Sequence, residues 1–165
     1  MLPNLLGLTY IAALVLLSHF FGELLPRTWF DWKKAPFASF SFEKNGELYD
    51  KIHIKKWKKK MPDLSRLMKY MTPKTVSFRD SSKDIDWLLR ELCVAETVHF
   101  ALIVASFGIF LIVRSWFSVL LCALYALGNI PFILIQRYNR PHLAHLYARV
   151  VEKEEKQKKE KDSIL

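Results

Sequence analysis

Apolar residues in this chain come in long blocks separated by strongly polar stretches, and the block lengths decide what the elements are. The first block, "NLLGLTYIAALVLLSHFFGELL", covers residues 4–25 and is closed by Pro26. The second runs from about Trp87 to Val113 and the third from about Trp116 to Ile135, with only Arg114 and Ser115 between them. A hydrocarbon core about 30 Å thick takes roughly 20 apolar residues in a helix, so each block predicts a transmembrane helix. The two-residue connection predicts a tight antiparallel hairpin from the second and third. The fold class is an all-α integral membrane protein of about three transmembrane helices, and its 165 residues make a single domain.

The loop over 26–86 has three textures. "PRTWFDWKKAPFASFSF" mixes aromatic residues, prolines and cations, as expected of a chain lying among lipid headgroups. "GELYDKIHIKKWKKKMPDL" puts Leu48, Ile52, Trp57 and Met61 on one side and Lys55, Lys56, Lys58, Lys59 and Lys60 opposite. That pattern predicts a short amphipathic helix on the membrane surface, ended by Pro62. "MTPKTVSFRDSSKDID" has no apolar period and reads as a loop, with Ser81, Ser82 or Asp84 available to cap a helix beginning near Asp86. The tail over 146–165 is a mixed-charge run expected to form a solvated helix end.

Charge orients these elements. The chain carries 25 Lys and Arg against 16 Asp and Glu, a net charge of +9. In a chain built of apolar blocks, that excess meets anionic headgroups rather than nucleic acid. Residues 26–90 hold 16 of the cations, residues 137–165 hold eight, and the hairpin tip holds one. The positive-inside rule then sets the protein in the cell membrane as a multi-pass chain, its loop and C-terminus cytoplasmic. "MLPN" lacks a basic leader region and no small-residue cleavage site precedes Pro26, so the first block reads as a retained helix.

The chemistry sits in the cytoplasmic halves of the helices. Taking Glu91 and Arg137 as the membrane surface, His99 and Asn129 each lie eight residues deeper, about 12 Å at 1.5 Å per residue, and so are level across the hairpin. His19 lies roughly 9 Å deep on the first helix. A buried ionisable residue costs at least about 2.5 kcal/mol on insertion scales, which makes Glu96 and His99 candidates for function; helix-to-helix hydrogen bonding is the structural alternative. A carboxylate three residues before an imidazole is expected to orient it and to favour the protonated form that develops as His99 takes a proton from a hydroxyl. Gly128 and Pro131 invite a bend and a cavity beside Asn129. Gln136, Arg137, Asn139 and Arg140 gather donors at the surface, suited to a phosphate or carboxylate, or to anchoring and a salt bridge with Glu91 or Glu96. Cys93 and Cys122 lie in apolar blocks without a redox or metal spacing. His142 and His145 have one-face spacing but no set of acidic partners, so no metal is expected.

"FSFEKNGELYDKIHIKKWKKKMPD", "RELCVAETVHF" and "GNIPFILIQRYNRPHL" resemble the glycosyl-4,4'-diaponeurosporenoate acyltransferases of staphyloxanthin biosynthesis, over about residues 40–145. The resemblance implies transfer of a fatty acyl group to a sugar hydroxyl of a glycolipid such as a glycosylated carotenoid, at C6 of glucose. It places Trp57, Lys58, Glu96, His99, Asn129, Gln136, Arg137, Asn139, Arg140 and Pro141 on motif positions of that family. The expected mechanism has His99 as base, Asn129 or Arg137 at the oxyanion, and Lys58, Arg137 and Arg140 on the phosphates of an acyl-CoA or acyl carrier protein donor. His19 is a further substrate-binding candidate, and no cofactor beyond the donor is needed. The expected partners are membrane lipids, the glycolipid acceptor and the fatty acyl donor. A small membrane methyltransferase and a non-catalytic lipid-binding scaffold are the alternatives from other classes.

Overall fold

The computed structural model describes residues 2–58 and 81–164, and among them it is helical with no strand. Helix α1 spans Leu2–Leu24, and short 3-10 turns follow at Arg27–Trp29 and Ser41–Gly46. Two short helices come next, α2 at Glu47–Lys51 and α3 at Ile54–Trp57. Then come α4 at Ser82–Ser106, the single turn α5 at Ile109–Ile112 and α6 at Trp116–Ile164. Three stretches are long and apolar enough to cross a membrane: Pro3–Leu24, Ser82–Ile112 and Trp116–Ser163.

The three blocks behave as their composition requires, but two boundaries move. The second helix starts at Ser82 rather than near Trp87, because Ser81 and Asp84 form a reciprocal capping box. The third helix does not end near Ile135; it runs unbroken for 49 residues, through Pro131 and Pro141, into the charged tail. At 1.5 Å per residue that is about 70 Å, more than twice a bilayer core, so its second half projects well beyond the lipid.

The apolar halves of the helices expose their side chains, among them Leu16, Phe20, Phe100, Leu111, Leu124 and Leu127, as lipid contact demands. The core lies instead where the loop packs on the polar ends of α4 and α6. Phe30 joins Cys93 and Val94; Ile85 and Leu89 join Val150; Tyr49 and Ile54 join Tyr138. Arg27 secures the start of the loop, donating from Nη1 to the Glu23 and Leu25 carbonyls at the end of α1 while its Nε holds Glu91 at 2.5 Å. Trp32 Nε1 donates to Asp86 at 2.8 Å, and Arg90 donates to the Phe30 carbonyl. Residues 27–40 are thus tied to the helix ends through Arg27, Phe30 and Trp32, while Trp29 and Phe40 stay exposed.

The expected amphipathic helix is also rearranged. His53 takes a left-handed conformation, φ 54°, which splits the segment into α2 and α3. The residues that go inward are Tyr49 and Ile54, while Leu48 and Ile52 stay exposed. An aromatic partner on α6, Tyr138, decides this: packing on it buries more than a lysine-lined stripe left on a surface would. Met61 and Lys59 to Pro62 lie outside the described residues.

Gly46 allows the loop to approach α6. It has φ 101°, and a Cβ built there would sit 3.3 Å from the His142 ring and 3.4 Å from Pro141. Gly46→Ala is expected to lower stability by about 1–2 kcal/mol, the cost of left-handed backbone for a residue with a Cβ, read as thermal unfolding in detergent. An unchanged midpoint would mean that the turn relaxes without cost.

Candidate active site

The polar ends of α4 and α6 meet the loop in a buried ionic network. Arg137 is its hub. Its Nε and Nη2 grip Glu43 at 2.5 and 2.9 Å, Nη1 donates to Glu96 at 2.7 Å, and the remaining N–H groups reach the carbonyls of Pro36 and Ala38. All five N–H donors are taken. Arg140 donates to the second oxygen of Glu96 and to the Phe37 carbonyl. Each guanidinium also lies over a loop ring, Arg137 on Phe40 and Arg140 on Phe37. Tyr49 donates its hydroxyl to Glu43. Burial pushes the Tyr49 hydroxyl up to about 12, and the neighbouring Glu43 carboxylate adds to the rise. Burial acts to raise Glu43 too, but Arg137, Tyr49 and the Phe40 N–H outweigh it and hold the carboxyl below its usual range.

Glu96 therefore does not orient His99. Its two oxygens belong to Arg137 and Arg140, because two cations outcompete one neutral ring for a buried carboxylate. His99 pairs with Asn129 instead, Nδ1 to Oδ1 at 2.9 Å, joining the two residues expected at one depth. Asn129 Nδ2 donates to the Tyr125 carbonyl, which leaves Oδ1 as acceptor. Nδ1 of His99 is then the donor in this pair. Phe132 stacks on the imidazole, centroids 4.7 Å apart and 8° from parallel.

The other expected site residues divide by position. Lys58 donates to Asn139 at 2.9 Å and sits over the Tyr138 ring, beside Trp57, which packs on the Tyr49 cluster. Gln136 and Arg140 are 7% and 3% exposed, and among the described residues Gln136 Oε1 and Arg140 Nε are buried without a partner. An acceptor and a donor left empty one turn apart are groups that a polar ligand would satisfy. His19 is on α1, but its side chain lies outside the described residues. His142 donates from Nδ1 to the Tyr138 carbonyl of its own helix. Among the described residues no group of three or more His, Cys, Asp or Glu is placed to hold a metal ion.

The comparisons with known proteins bear on this arrangement. The profile of the glycosyl-4,4'-diaponeurosporenoate acyltransferase family matches residues 26–149. The chain belongs to that family. Relatives carrying that name in Staphylococcus aureus strains MRSA252 and N315 are 31% identical over 129 and 127 residues, and the one in strain bovine RF122 / ET3-1 is 29% identical over 141. Each match covers 76% of this chain and 76% of the relative. No solved structure matches. The part shared with the acyltransferase family runs from the start of the loop into the extramembrane half of α6, and so includes the whole ionic network and the His99–Asn129 pair.

Sequence reasoning missed the loop's share of the site. Glu43, 2% exposed, is as central as Glu96. The signal available was an acid set among aromatics in "FASFSFEKNG", where a lone carboxylate needs a distant cation. Of the two expectations for Arg137, an anion site or a salt bridge with Glu91 or Glu96, the structure has the bridge to Glu96; with every donor spent on the protein, Arg137 holds the loop to α4 and α6.

Removing one partner of a buried ion cluster leaves charge uncompensated, so Glu96→Gln is expected to cost about 3–5 kcal/mol, seen as loss of thermal stability and of membrane accumulation. Near-normal stability would show that the arginines find other acceptors. The raised Tyr49 value means that the folded state favours the protonated hydroxyl. Its contribution is complete below the ordinary value of 10.0 and lost as pH rises through about 12. Tyrosinate absorbance should show a late-titrating component that shrinks in Tyr49→Phe.

Proposed function

We propose that this protein is an O-acyltransferase of the cell membrane that moves a fatty acyl group from a thioester donor to a sugar hydroxyl of a glycosylated carotenoid. The observation that carries the reading is the His99–Asn129 pair, an imidazole held through Nδ1 by an amide oxygen, in a chain of an acyltransferase family. The glycosylated acceptor is the one in the name of the relatives. The positive-inside distribution of charge supports a cytoplasmic loop and tail, and with them a soluble thioester donor, acyl-CoA or acyl carrier protein.

In this mechanism Nε2 of His99 takes the proton of the sugar hydroxyl as its oxygen attacks the thioester carbonyl. A C–O bond forms, the tetrahedral intermediate collapses with cleavage of C–S, and the thiolate leaves with the proton held on Nε2. Asn129 keeps the ring oriented and accepts the Nδ1–H throughout. Arg140 Nε–H, a buried donor without a protein partner, is the group suited to the developing oxyanion, and Gln136 Oε1 is suited to accept from a sugar hydroxyl. Glu96 and Arg137 act as positioning residues. Cys93 is no nucleophile here: it is fully buried and its thiol donates to the Leu89 carbonyl.

The test is acyl transfer by purified protein to glycosyl 4,4'-diaponeurosporenoate, followed by mass spectrometry of extracted lipids. His99→Ala is expected to lose roughly 10²–10⁴-fold in kcat while accumulating normally. Asn129→Leu should lose less and spare the acceptor KM, because it releases the tautomer without touching substrate. Full activity in His99→Ala would sink the reading.

A further inference from the structure

A cleft of about 750 Å³ opens between the loop and the extramembrane half of α6, and of its lining only Arg140 has a part in the reaction above. Its floor is a stripe of small residues, Ala144, Ala148 and Val151, beside Pro141. Arg140 lies at its membrane-proximal end, with Ser39 and Asn45 from the loop close by. Further out, Trp32 and Tyr147 pack edge to face at 5.5 Å, and Lys33 Nζ sits 5.1 and 5.5 Å from their ring centroids. The carboxylates of Glu152 and Glu155 close the far end.

We propose that this cleft binds the phosphopantetheine arm of the acyl donor, leading its thioester to His99; the inference rests on the acyltransferase reading. Length supports it. Tyr147 lies seven residues beyond Arg140 on α6, about 10 Å at 1.5 Å per residue. Arg140 holds Glu96, and His99 is one turn deeper on α4. By axial rise alone the level of Lys33 is therefore about 15 Å from that of His99. An extended phosphopantetheine, two amide units with their linkers, is equivalent to about five residues and roughly 17 Å. Chemistry supports it as well. The arm is a slender, largely apolar chain with carbonyl acceptors, and it ends in one phosphate. A floor of alanines fits the chain. Arg140, 3% exposed and with its Nε–H lacking a partner among the described residues, fits the thioester carbonyl at the inner end, the same oxygen that becomes the oxyanion. Lys33 fits the phosphate.

The experiment compares three donors of one acyl chain, acyl-CoA, acyl carrier protein and the truncated N-acetylcysteamine thioester, on the same glycosyl 4,4'-diaponeurosporenoate acceptor. Wild type should favour at least one phosphopantetheine donor over the truncated thioester by about tenfold to a hundredfold in kcat/KM, and the better of the two names the source. Ala148→Trp, which fills the cleft from an exposed helix position, and Lys33→Glu, on an exposed side chain, should each cut that preference about tenfold without raising the acceptor KM. Should Ala148→Trp fail to accumulate, Lys33→Glu decides. A wild type that does not distinguish the donors, or a preference that survives both substitutions, overturns the cleft assignment while acyl transfer stands. A wild type that transfers from none of them overturns the acyltransferase reading itself.

Discussion

Arg137 occupies the point at which three separate parts of the chain must agree. A guanidinium that is 11% exposed cannot shed its charge, so it needs carboxylates, and a single carboxylate cannot satisfy five donors in a fork. Glu43 from the loop and Glu96 from α4 supply the charge, and the carbonyls of Pro36 and Ala38 take the remaining donors. The loop is therefore wrapped around α6 by the same demand that holds α4 against it. Phe37, Phe40 and Tyr49, placed by that wrapping, dry the network and strengthen it.

This clamp separates two environments along the helix pair. On one side the helices show apolar side chains to lipid; on the other they carry a packed core of loop and helix ends. His99 sits about one turn beyond Glu96 and Asn129 about two turns beyond Arg137, a depth that suits the proposed reaction of a soluble thioester with an acceptor dissolved in the membrane. An acyl transfer between a water-borne donor and a lipid-borne hydroxyl needs such a place, because each substrate is poorly soluble in the other's phase. The stacked Phe132 and the Asn129 contact keep the imidazole in one orientation without a carboxylate. That spares the site a second buried charge beside the ionic network.

The unsatisfied polar atoms follow the same line. Gln136 and Arg140 are one turn apart on α6, on the stripe that carries Asn129 and Phe132. Folding leaves an acceptor and a donor on that stripe without partners among the described residues, at a cost the protein bears where it can be recovered on binding.

Much was legible in the chain itself. Block length and hydropathy determine three membrane-length helices, since the bilayer thickness sets a length that composition either meets or does not. The depth register that joins His99 to Asn129 follows from a constant rise per residue and a two-residue turn. The string around Gln136, Arg137 and Arg140 carried the family resemblance. The partners of those residues were legible only in part: a salt bridge to Glu96 was one of two readings for the arginines, and nothing pointed to Glu43. Glu96 stands three residues from His99, a spacing that suggests a dyad, yet it bonds to two arginines more than 40 positions away. Glu43 reaches Arg137 across 94 positions. Local spacing reports only which side chains share a helix face. Which buried charge finds which counter-charge depends on how a polar loop folds back over the helix ends, and only the tertiary structure decides that.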